Sequence, residues 1–329
     1  MASFSIVICT HNPNFILFEQ LLLAITRFNN DSPTHEVIII DNNSNISLKE
    51  NLIVKDFLEL KSNTHLLLER IPGLTAARIC GINAAKYRWI VFFDDDNLPD
   101  ANYLNNALHG IKDYPEVGSW GPGNIFVEYD PGAEEWLYKK KELFQERQES
   151  ITRFDNQRHW QNCYPYGTGL ILKREIALEY SKRVKDGRYT LTDRKGKSLS
   201  SGGDVQMVLT GIEMGYYAGV LHDLSLKHII EQNKANLKYL LRLQYGTASA
   251  YVKAYNQVFV NQKIPLRKIT NYDVFIKIYS LYRIYNSQIS KREFELLKSL
   301  KLGELNAGVN ASGQKKPFTL WVYEKIINA

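Results

Sequence analysis

The segment WIVFFDDDNLPD, residues 89–100, carries the strongest fold signal in the chain. Its first five residues are apolar without interruption, which predicts a strand that is buried on both faces. Three consecutive carboxylates follow at Asp94, Asp95 and Asp96. Carboxylates this close raise one another's pKa unless a cation compensates them. The segment therefore predicts a buried strand that ends in a divalent-cation site, whereas helix capping would explain only one of the three aspartates.

Strand and helix patterns alternate on the N-terminal side of this segment. The predicted strands are Phe4–Cys9, Glu36–Ile40, Thr64–Leu68 and Trp89–Phe93, and the predicted helices are Phe15–Phe28, Leu48–Leu60 and Leu74–Ala85. This βαβαβαβ order predicts an α/β fold: a mostly parallel, Rossmann-like sheet with helices on both faces. Ligands bind beyond the carboxyl ends of such strands, so we expect the polar residues there to line one rim.

The pattern continues less regularly after the aspartates. We expect a helix from Asp100 to about Tyr114, a bent strand in VGSWGPGNIFVEY, and an aromatic segment, 130–163, that covers a site. A strand in GTGLILK and helices in REIALEYSKRV and DVQMVLTGIEMG follow.

Two bulk properties restrict the protein class. The three cysteines are widely spaced, with no CxxC pair and no secretory signal, so a reducing cytosol is the expected compartment. No run approaches the roughly 18 to 20 apolar residues that a spanning helix needs. Any membrane contact is therefore expected to be peripheral.

The C-terminal region differs in charge from the rest of the chain. Residues 233–329 carry 16 Lys and Arg against 5 Asp and Glu, while the preceding residues are net acidic. We therefore expect a nucleotide-binding domain in residues 1–230 and a basic, mainly helical region in 231–329. Basic helices rich in tyrosine bind anionic membranes, but the same pattern also fits a helical subdomain packed on the core. No nucleic-acid-binding motif accompanies the charge, so nucleic acid is not an expected partner.

The usual phosphate-binding loops are missing from the sequence. Neither GxGxxG nor GxxxxGK[ST] occurs, which argues against dinucleotide oxidoreductases and P-loop NTPases. Asp41 ends the second predicted strand, where a carboxylate can accept from a base or a ribose hydroxyl, or can simply form a turn. Because neither phosphate-binding loop is present, the phosphates of a bound nucleotide are expected to contact a metal ion instead.

Six segments, in this order and spacing, resemble the family 2 inverting glycosyltransferases of the GT-A fold. They span about the first 230 residues and read SIVICTHNP, VIIIDNNS, IPGLTAARICGINAA, WIVFFDDDNLPD, SSGGDVQMVLTGIEMGY and LKHII. The resemblance implies a sugar transfer from a nucleoside diphosphate sugar, most simply a UDP-sugar, with Mn²⁺ or Mg²⁺ as cofactor.

The resemblance also implies roles for residues on the donor side. The contacts to the base fall on Thr10 and Asp41, and the arginine near the diphosphate falls on Arg78. The DxD pair that holds the metal falls on Asp94 and Asp96, with Asp94 and its neighbour Asp95 contacting the donor.

A second set of implied roles concerns the reaction itself. The catalytic base falls on Asp204, which an ordinary helix N-cap would also explain. The acid that commonly precedes the base is missing, because Gly203 stands there. His228 matches a histidine that completes the metal shell, although a lone histidine among apolar residues is more often part of a core. Trp136, Trp160, Tyr164 and Tyr166 are candidates to stack on an acceptor sugar, or else to pack in the core.

These features predict a metal-dependent hexosyl- or N-acetylhexosaminyltransferase. The resemblance alone implies the setting: the expected acceptor is a glycan or lipid-linked glycan of a surface polysaccharide, assembled in the cytoplasm at the inner face of the cell membrane. Two alternatives remain open: nucleotidyl transfer on the same metal site, and a non-catalytic module that binds nucleotide sugars.

Overall fold

A mixed β-sheet forms the centre of the computed structural model, which describes residues 3–29, 31–194 and 199–328, without side chains for 286–288. The strands are β1 (Phe4–Thr10), β2 (His35–Asp41), β3 (Thr64–Leu68), β4 (Trp89–Phe93), β5 (Asn97–Pro99), β6 (Val117–Tyr129), β7 (Arg147–Gln148), β8 (Arg153–Asp155), β9 (Ile171–Lys173) and β10 (Tyr217–Ile230).

Helices surround this sheet and continue beyond it to the end of the chain. They are α1 (Phe15–Thr26), α2 (Leu52–Leu60), α3 (Leu74–Ala84), α4 (Tyr103–Asp113), α5 (Arg174–Lys185), α6 (Gly203–Glu213), α7 (Leu237–Ala248), α8 (Tyr251–Val258), α9 (Asn271–Gln288), α10 (Lys291–Ser312) and α11 (Phe318–Asn328). Short 3₁₀ turns lie at Leu48–Glu50, Glu135–Lys139 and Lys141–Phe144.

The strand order is β3-β2-β1-β4-β9-β6-β10-β5. The first four strands are parallel, as are β6 and β10, and β9 runs antiparallel to both β4 and β6. It follows that β6 and β10 point the same way as the first four strands, and that their carboxyl ends share one edge. The predicted mostly parallel α/β fold is confirmed.

Both faces of the sheet are buried, which explains the uninterrupted apolar strands. On β1, Phe4, Ile6 and Ile8 pack in one core, and Val7 between them packs in a second core. Because side chains alternate across a strand, covering both faces favours apolar residues along its whole length, and the buried Ser5 of β1 is accommodated by donating a hydrogen bond to Glu36 of β2.

Two predicted helices start later than the sequence pattern suggested. The helix predicted over Leu48–Leu60 is interrupted at Asn51, whose backbone is extended and whose side chain accepts a hydrogen bond from the Val54 N–H. The helix predicted from Asp100 begins at Tyr103, because the preceding residues form β5 and pair with β10. A pairing between such distant segments leaves no local periodic signal.

The C-terminal helices pack on the sheet unit as well as on one another. Val258 and Phe259, at the end of α8, belong to the same hydrophobic core as Val7. Helix α10 lies along α7, and both contact the residues that follow β10. In the described part of the chain, no helix combines the length and apolarity needed to span a bilayer.

Candidate active site

A polar cavity of about 250 Å³ opens at the carboxyl ends of the parallel strands. We call it the donor cleft. Thr10, at the end of β1, lines it together with all three aspartates that follow β4. Parallel strands bring their carboxyl ends to one edge, so the predicted clustering of these residues is observed.

The hydroxyl of Thr10 donates a hydrogen bond of 2.5 Å to Oδ2 of Asp95. Burial raises the pKa of Asp95 well above its usual range, and the nearby carboxylate of Asp96 raises it further, while the bond from Thr10 lowers it. Thr10 therefore orients one carboxylate of the cluster and stabilises its charge.

Asp96 lies between an imidazole and an ammonium group. Its Oδ1 is 3.6 Å from Nε2 of His228, and its Oδ2 is 3.0 Å from Nζ of Lys234. Burial alone would raise the pKa of Asp96, but His228 and Lys234 lower it below its ordinary value. Lys234 also pairs with Glu231 at 2.9 Å. Asp96 is thus held ionised at the mouth of the cleft.

The chemistry of Asp96 and His228 fits a divalent cation. Nδ1 of His228 lies 3.0 Å from the carbonyl oxygen of Phe144, which can only accept, so Nδ1 carries the proton. In the neutral imidazole the lone pair is then on Nε2, the atom nearest Asp96, which is the tautomer that a metal-binding imidazole needs. Within residues 3–29, 31–194 and 199–328, no three His, Cys, Asp or Glu side chains come close enough to hold an ion. The third predicted ligand, Asp94, lines the cleft without joining the pair, so its ligand role remains a prediction.

Asp41 ends β2 but turns its carboxylate to the following loop. Its oxygens accept hydrogen bonds from the backbone N–H groups of Ser44, at 2.9 Å, and Leu48, at 3.2 Å. The neighbouring Asn42 lines the cleft and accepts from the Gly73 N–H at 2.8 Å. The turn-forming role of Asp41 is visible here, and its contact to a base remains a prediction.

Arg78 is buried in α3 and paired with an acid that the sequence analysis did not identify. Its Nη1 donates to Oδ2 of Asp193 at 2.9 Å, with both side chains almost fully buried. The cations that line the donor cleft are instead Arg194 and Lys234. The predicted contact of Arg78 to a diphosphate therefore remains a prediction.

Asp204 stands in the first turn of α6, beside Arg78. A β-carbon on Gly167 would lie 2.9 Å from Oδ2 of Asp204 and 3.3 Å from Nη2 of Arg78, so the two groups border the same small space. Burial raises the pKa of Asp204, and the charge of Arg78 opposes that shift. A carboxylate with a raised pKa accepts a proton more readily, as a general base must.

A second cavity, of about 340 Å³, adjoins the donor cleft. We call it the aromatic cleft. Asp204 lines it, and Asp96, Arg194 and Lys234 line both cavities. Asp204 and the aspartates after β4 therefore lie on the same side of the sheet, as the predicted reaction requires.

Residues from two distant parts of the chain form the walls of the aromatic cleft. Trp160 and Tyr166 line it as candidates for sugar stacking, and Tyr239, Leu243 and Tyr251 of α7 and α8 also line it. The C-terminal helices thus contribute directly to the candidate active site, which their composition alone did not indicate.

The other two aromatic candidates, Tyr164 and Trp136, do not line the aromatic cleft. Tyr164 is fully buried in the core and donates its hydroxyl to the carbonyl oxygen of Gln157, so it cannot stack on a ligand. Trp136 packs beneath the guanidinium of Arg292, with 5.2 Å between the guanidinium carbon and the ring centroid. Of the two alternatives for Tyr164, stacking on a sugar and packing in the core, the structure shows core packing.

Comparison with known proteins places this arrangement among sugar-transferring enzymes. Residues 5–181, more than half of the chain, match the family model described as glycosyl transferase family 2. No protein of curated function matches the sequence.

Two solved structures illustrate the similarity of fold. A mannosyltransferase from Pyrobaculum calidifontis, in complex with GDP-Man and Mn²⁺, has a TM-score of 0.56 at 15% identity, over 95% of this chain and 88% of that one. S. aureus TarS 1–349, in complex with UDP-GlcNAc, has a TM-score of 0.49 at 13% identity, over 95% of this chain and 92% of that one. At 15% identity, the likeness to the mannosyltransferase concerns the fold.

Proposed function

The chain belongs to glycosyl transferase family 2, and from that premise we propose that it transfers a sugar from a nucleoside diphosphate sugar to an acceptor hydroxyl with inversion at the anomeric carbon. One observation carries the proposal. The donor cleft and the aromatic cleft meet at Asp96, with the acid cluster on one side and Asp204 on the other. A donor and an acceptor bound in these two cavities would meet at that junction.

The donor side is suited to a diphosphate. Asp96 and His228 would hold Mn²⁺ or Mg²⁺, with Asp94 proposed as a further ligand from the same cleft, and the imidazole favours Mn²⁺. The bound ion would offset the negative charge that develops on the departing diphosphate. Arg194 and Lys234 add positive charge at the same place. A UDP-sugar is the proposed donor, and hexose or N-acetylhexosamine is the proposed sugar.

The acceptor side is suited to a sugar hydroxyl. Asp204 would take the proton from the acceptor hydroxyl while the hydroxyl oxygen attacks the anomeric carbon from the face opposite the diphosphate. Trp160 and Tyr166 supply flat apolar surfaces on which a sugar ring can stack. A glycan or lipid-linked glycan of a surface polysaccharide is the proposed acceptor.

A surface on the C-terminal helices supports a peripheral site of action at the inner membrane face. Tyr272, Phe275 and Tyr279 of α9, and Phe318 and Trp321 of α11, are each at least 48% exposed. We call these five residues the aromatic surface.

The two helices of the aromatic surface are joined at their starts. The backbone N–H and the hydroxyl of Thr319 both donate to Oδ1 of Asn271, at 3.1 and 3.0 Å. Lys268, Arg283 and Lys325 lie on or next to the same helices and are exposed. Each cation near an anionic lipid surface contributes on the order of 1 kcal/mol, so an anionic bilayer is the proposed partner.

Vesicle binding tests this surface. The full chain is expected to sediment with vesicles containing phosphatidylglycerol and to stay in solution with purely zwitterionic vesicles. Replacing Phe275, Phe318 and Trp321 by serine should weaken the binding about tenfold, because buried ring area is lost. Equal binding to both kinds of vesicle would contradict the proposal.

The reaction itself is tested by product release. The protein is incubated with Mn²⁺, a panel of nucleotide sugars and a panel of nucleoside triphosphates, with simple glycans and lipid-linked glycans as acceptors. Release of a nucleoside diphosphate together with a glycosylated acceptor supports the proposal. Release of pyrophosphate would point to nucleotidyl transfer, and binding of UDP without any release would point to a binding module.

A further inference from the structure

The start of α6 has no side chain at Gly202 or Gly203, directly before the candidate base Asp204. This lack of side chains is required by the packing. A β-carbon on Gly203 would lie 2.1 Å from Oδ2 of Asp193 and 2.9 Å from its Cγ, far inside van der Waals contact. The carboxylate of Asp193 therefore occupies the volume that a side chain at position 203 would need.

Both carboxylate oxygens and the backbone N–H of Asp193 connect α6 to α3. Its Oδ1 accepts hydrogen bonds from the backbone N–H groups of Gly202, at 2.9 Å, and Gly203, at 2.7 Å. Its Oδ2 accepts from Arg78 of α3 at 2.9 Å, and its backbone N–H donates to the hydroxyl of Thr75 at 3.1 Å. Asp193 is only 2% exposed. An acid ten residues upstream thus caps α6 and fastens it to α3.

Arg78 stands between two carboxylates as a result. Asp193 binds its Nη1 directly, and Asp204 borders its Nη2. If Asp193 were neutral, the guanidinium would be left with Asp204 as its nearest carboxylate and could form a two-point ion pair with it. An Asp204 engaged in such a pair would offer no free oxygen to an acceptor hydroxyl.

We propose that Asp193 is a positioning residue for the transfer reaction, which holds Arg78 and the start of α6 so that Asp204 faces the aromatic cleft. It supplies from another loop the carboxylate that position 203 lacks. This inference rests on the proposed function, since it concerns the base of that reaction.

Kinetics of Asp193→Asn test the role of the charge. Asparagine keeps an oxygen that can accept from Gly202 and Gly203 but removes the negative charge beside Arg78. With the donor and acceptor that the wild type uses, kcat is expected to fall about 30-fold, because the base is misplaced. The affinity for UDP with Mn²⁺, measured by calorimetry, should stay within about threefold, because Asp193 does not line the donor cleft. A folded variant whose kcat is unchanged would overturn the proposal.

Moving the carboxylate provides a rescue test. The double variant Asp193→Gly with Gly203→Asp returns a carboxylate to the same volume from the other side. Its kcat is expected to exceed that of Asp193→Gly alone by about tenfold, by restoring the partner of Arg78. A folded double variant with no gain over the single variant would contradict the proposal.

A melting experiment separates this inference from the proposed function. Gly203→Ala should lower the melting temperature of the wild type, where its methyl group meets Asp193, and should be tolerated in the Asp193→Gly background. Equal destabilisation in both backgrounds would overturn the shared-volume argument. The melting experiment does not depend on enzymatic activity. A wild type that transfers no sugar would contradict the proposed function, and the melting temperatures would still show whether Asp193 occupies the volume beside Gly203.

Discussion

The donor cleft and the aromatic cleft differ in how the chain builds them. The donor cleft is lined mainly by short segments that follow β1, β2 and β4, and its side chains are mostly polar. The aromatic cleft is assembled from the segment before β9, the start of α6 and the C-terminal helices, with many aromatic and apolar side chains. The cavity proposed for the donor is thus set by sheet topology, whereas the cavity proposed for the acceptor depends on helix packing.

The two cavities also differ in their charge balance. The donor cleft holds three adjacent carboxylates, opposed by Arg194 and Lys234. In the aromatic cleft Asp204 stands among aromatic residues, and Arg78 and Asp193 are buried behind it. Substitutions in the donor cleft should therefore change the affinity for the donor, and substitutions in the aromatic cleft should change the transfer step or acceptor binding.

The largest effect is expected at Asp204. Asp204→Asn removes the carboxylate proposed to take the acceptor proton, so kcat should fall about 10³-fold. The affinity for UDP with Mn²⁺ should remain unchanged in calorimetry, because Asp204 does not line the donor cleft. Asp56→Asn, an exposed aspartate on α2, is the control and should leave both quantities unchanged. Full transfer activity in Asp204→Asn would remove Asp204 as the base.

Loss of Asp96 from the proposed metal site should weaken donor binding. Asp96→Ala would remove one proposed metal ligand and leave Lys234 paired with Glu231, and the affinity for UDP with Mn²⁺ should fall about 10- to 100-fold. Chelation with EDTA should abolish transfer by the wild type, and added Mn²⁺ should restore it. Transfer that persists in EDTA would show that Arg194 and Lys234 balance the diphosphate without a metal.

A smaller effect is expected from the stacking surface. Trp160→Ala should raise the acceptor KM about tenfold, as expected for the loss of one aromatic contact, without changing UDP affinity. Trp136→Ala is the matched control, because this ring packs under Arg292 away from the cleft. Equal effects of the two substitutions on the acceptor KM would argue against acceptor binding in the aromatic cleft.

The smallest effect concerns stability. Burial raises the pKa of Asp204 in the folded chain, so the ionised form costs stability at pH values above that pKa. The cost disappears as the pH falls through the raised pKa towards 3.8, because the folded state then binds the proton. Asp204→Asn should therefore melt about 1 to 3 °C higher than the wild type at pH 8, and the difference should shrink at lower pH. A lower melting temperature for the variant at pH 8 would contradict the expected sign.

The sequence carries one signal of the close contact that Asp193 makes with the start of α6. Adjacent glycines before a helix often mark the close approach of another group, and Gly202 and Gly203 provide that signal. The pattern says that something approaches, but it does not say which residue. The partner of Arg78 lies 115 positions away in the sequence, and only packing identifies it.

Local sequence patterns predicted the parallel strands β1 to β4, the cluster of aspartates at the end of β4, and the position of Asp204 at the start of a helix. These features follow from periodicity and from residues adjacent in the chain, which local physical chemistry is sufficient to specify. Tertiary structure alone decided that Lys234 pairs with Asp96 across 138 positions, that Asp193 holds Arg78, and that α7 and α8 wall the aromatic cleft. Contacts of this kind depend on how distant helices pack, and no local pattern encodes that geometry.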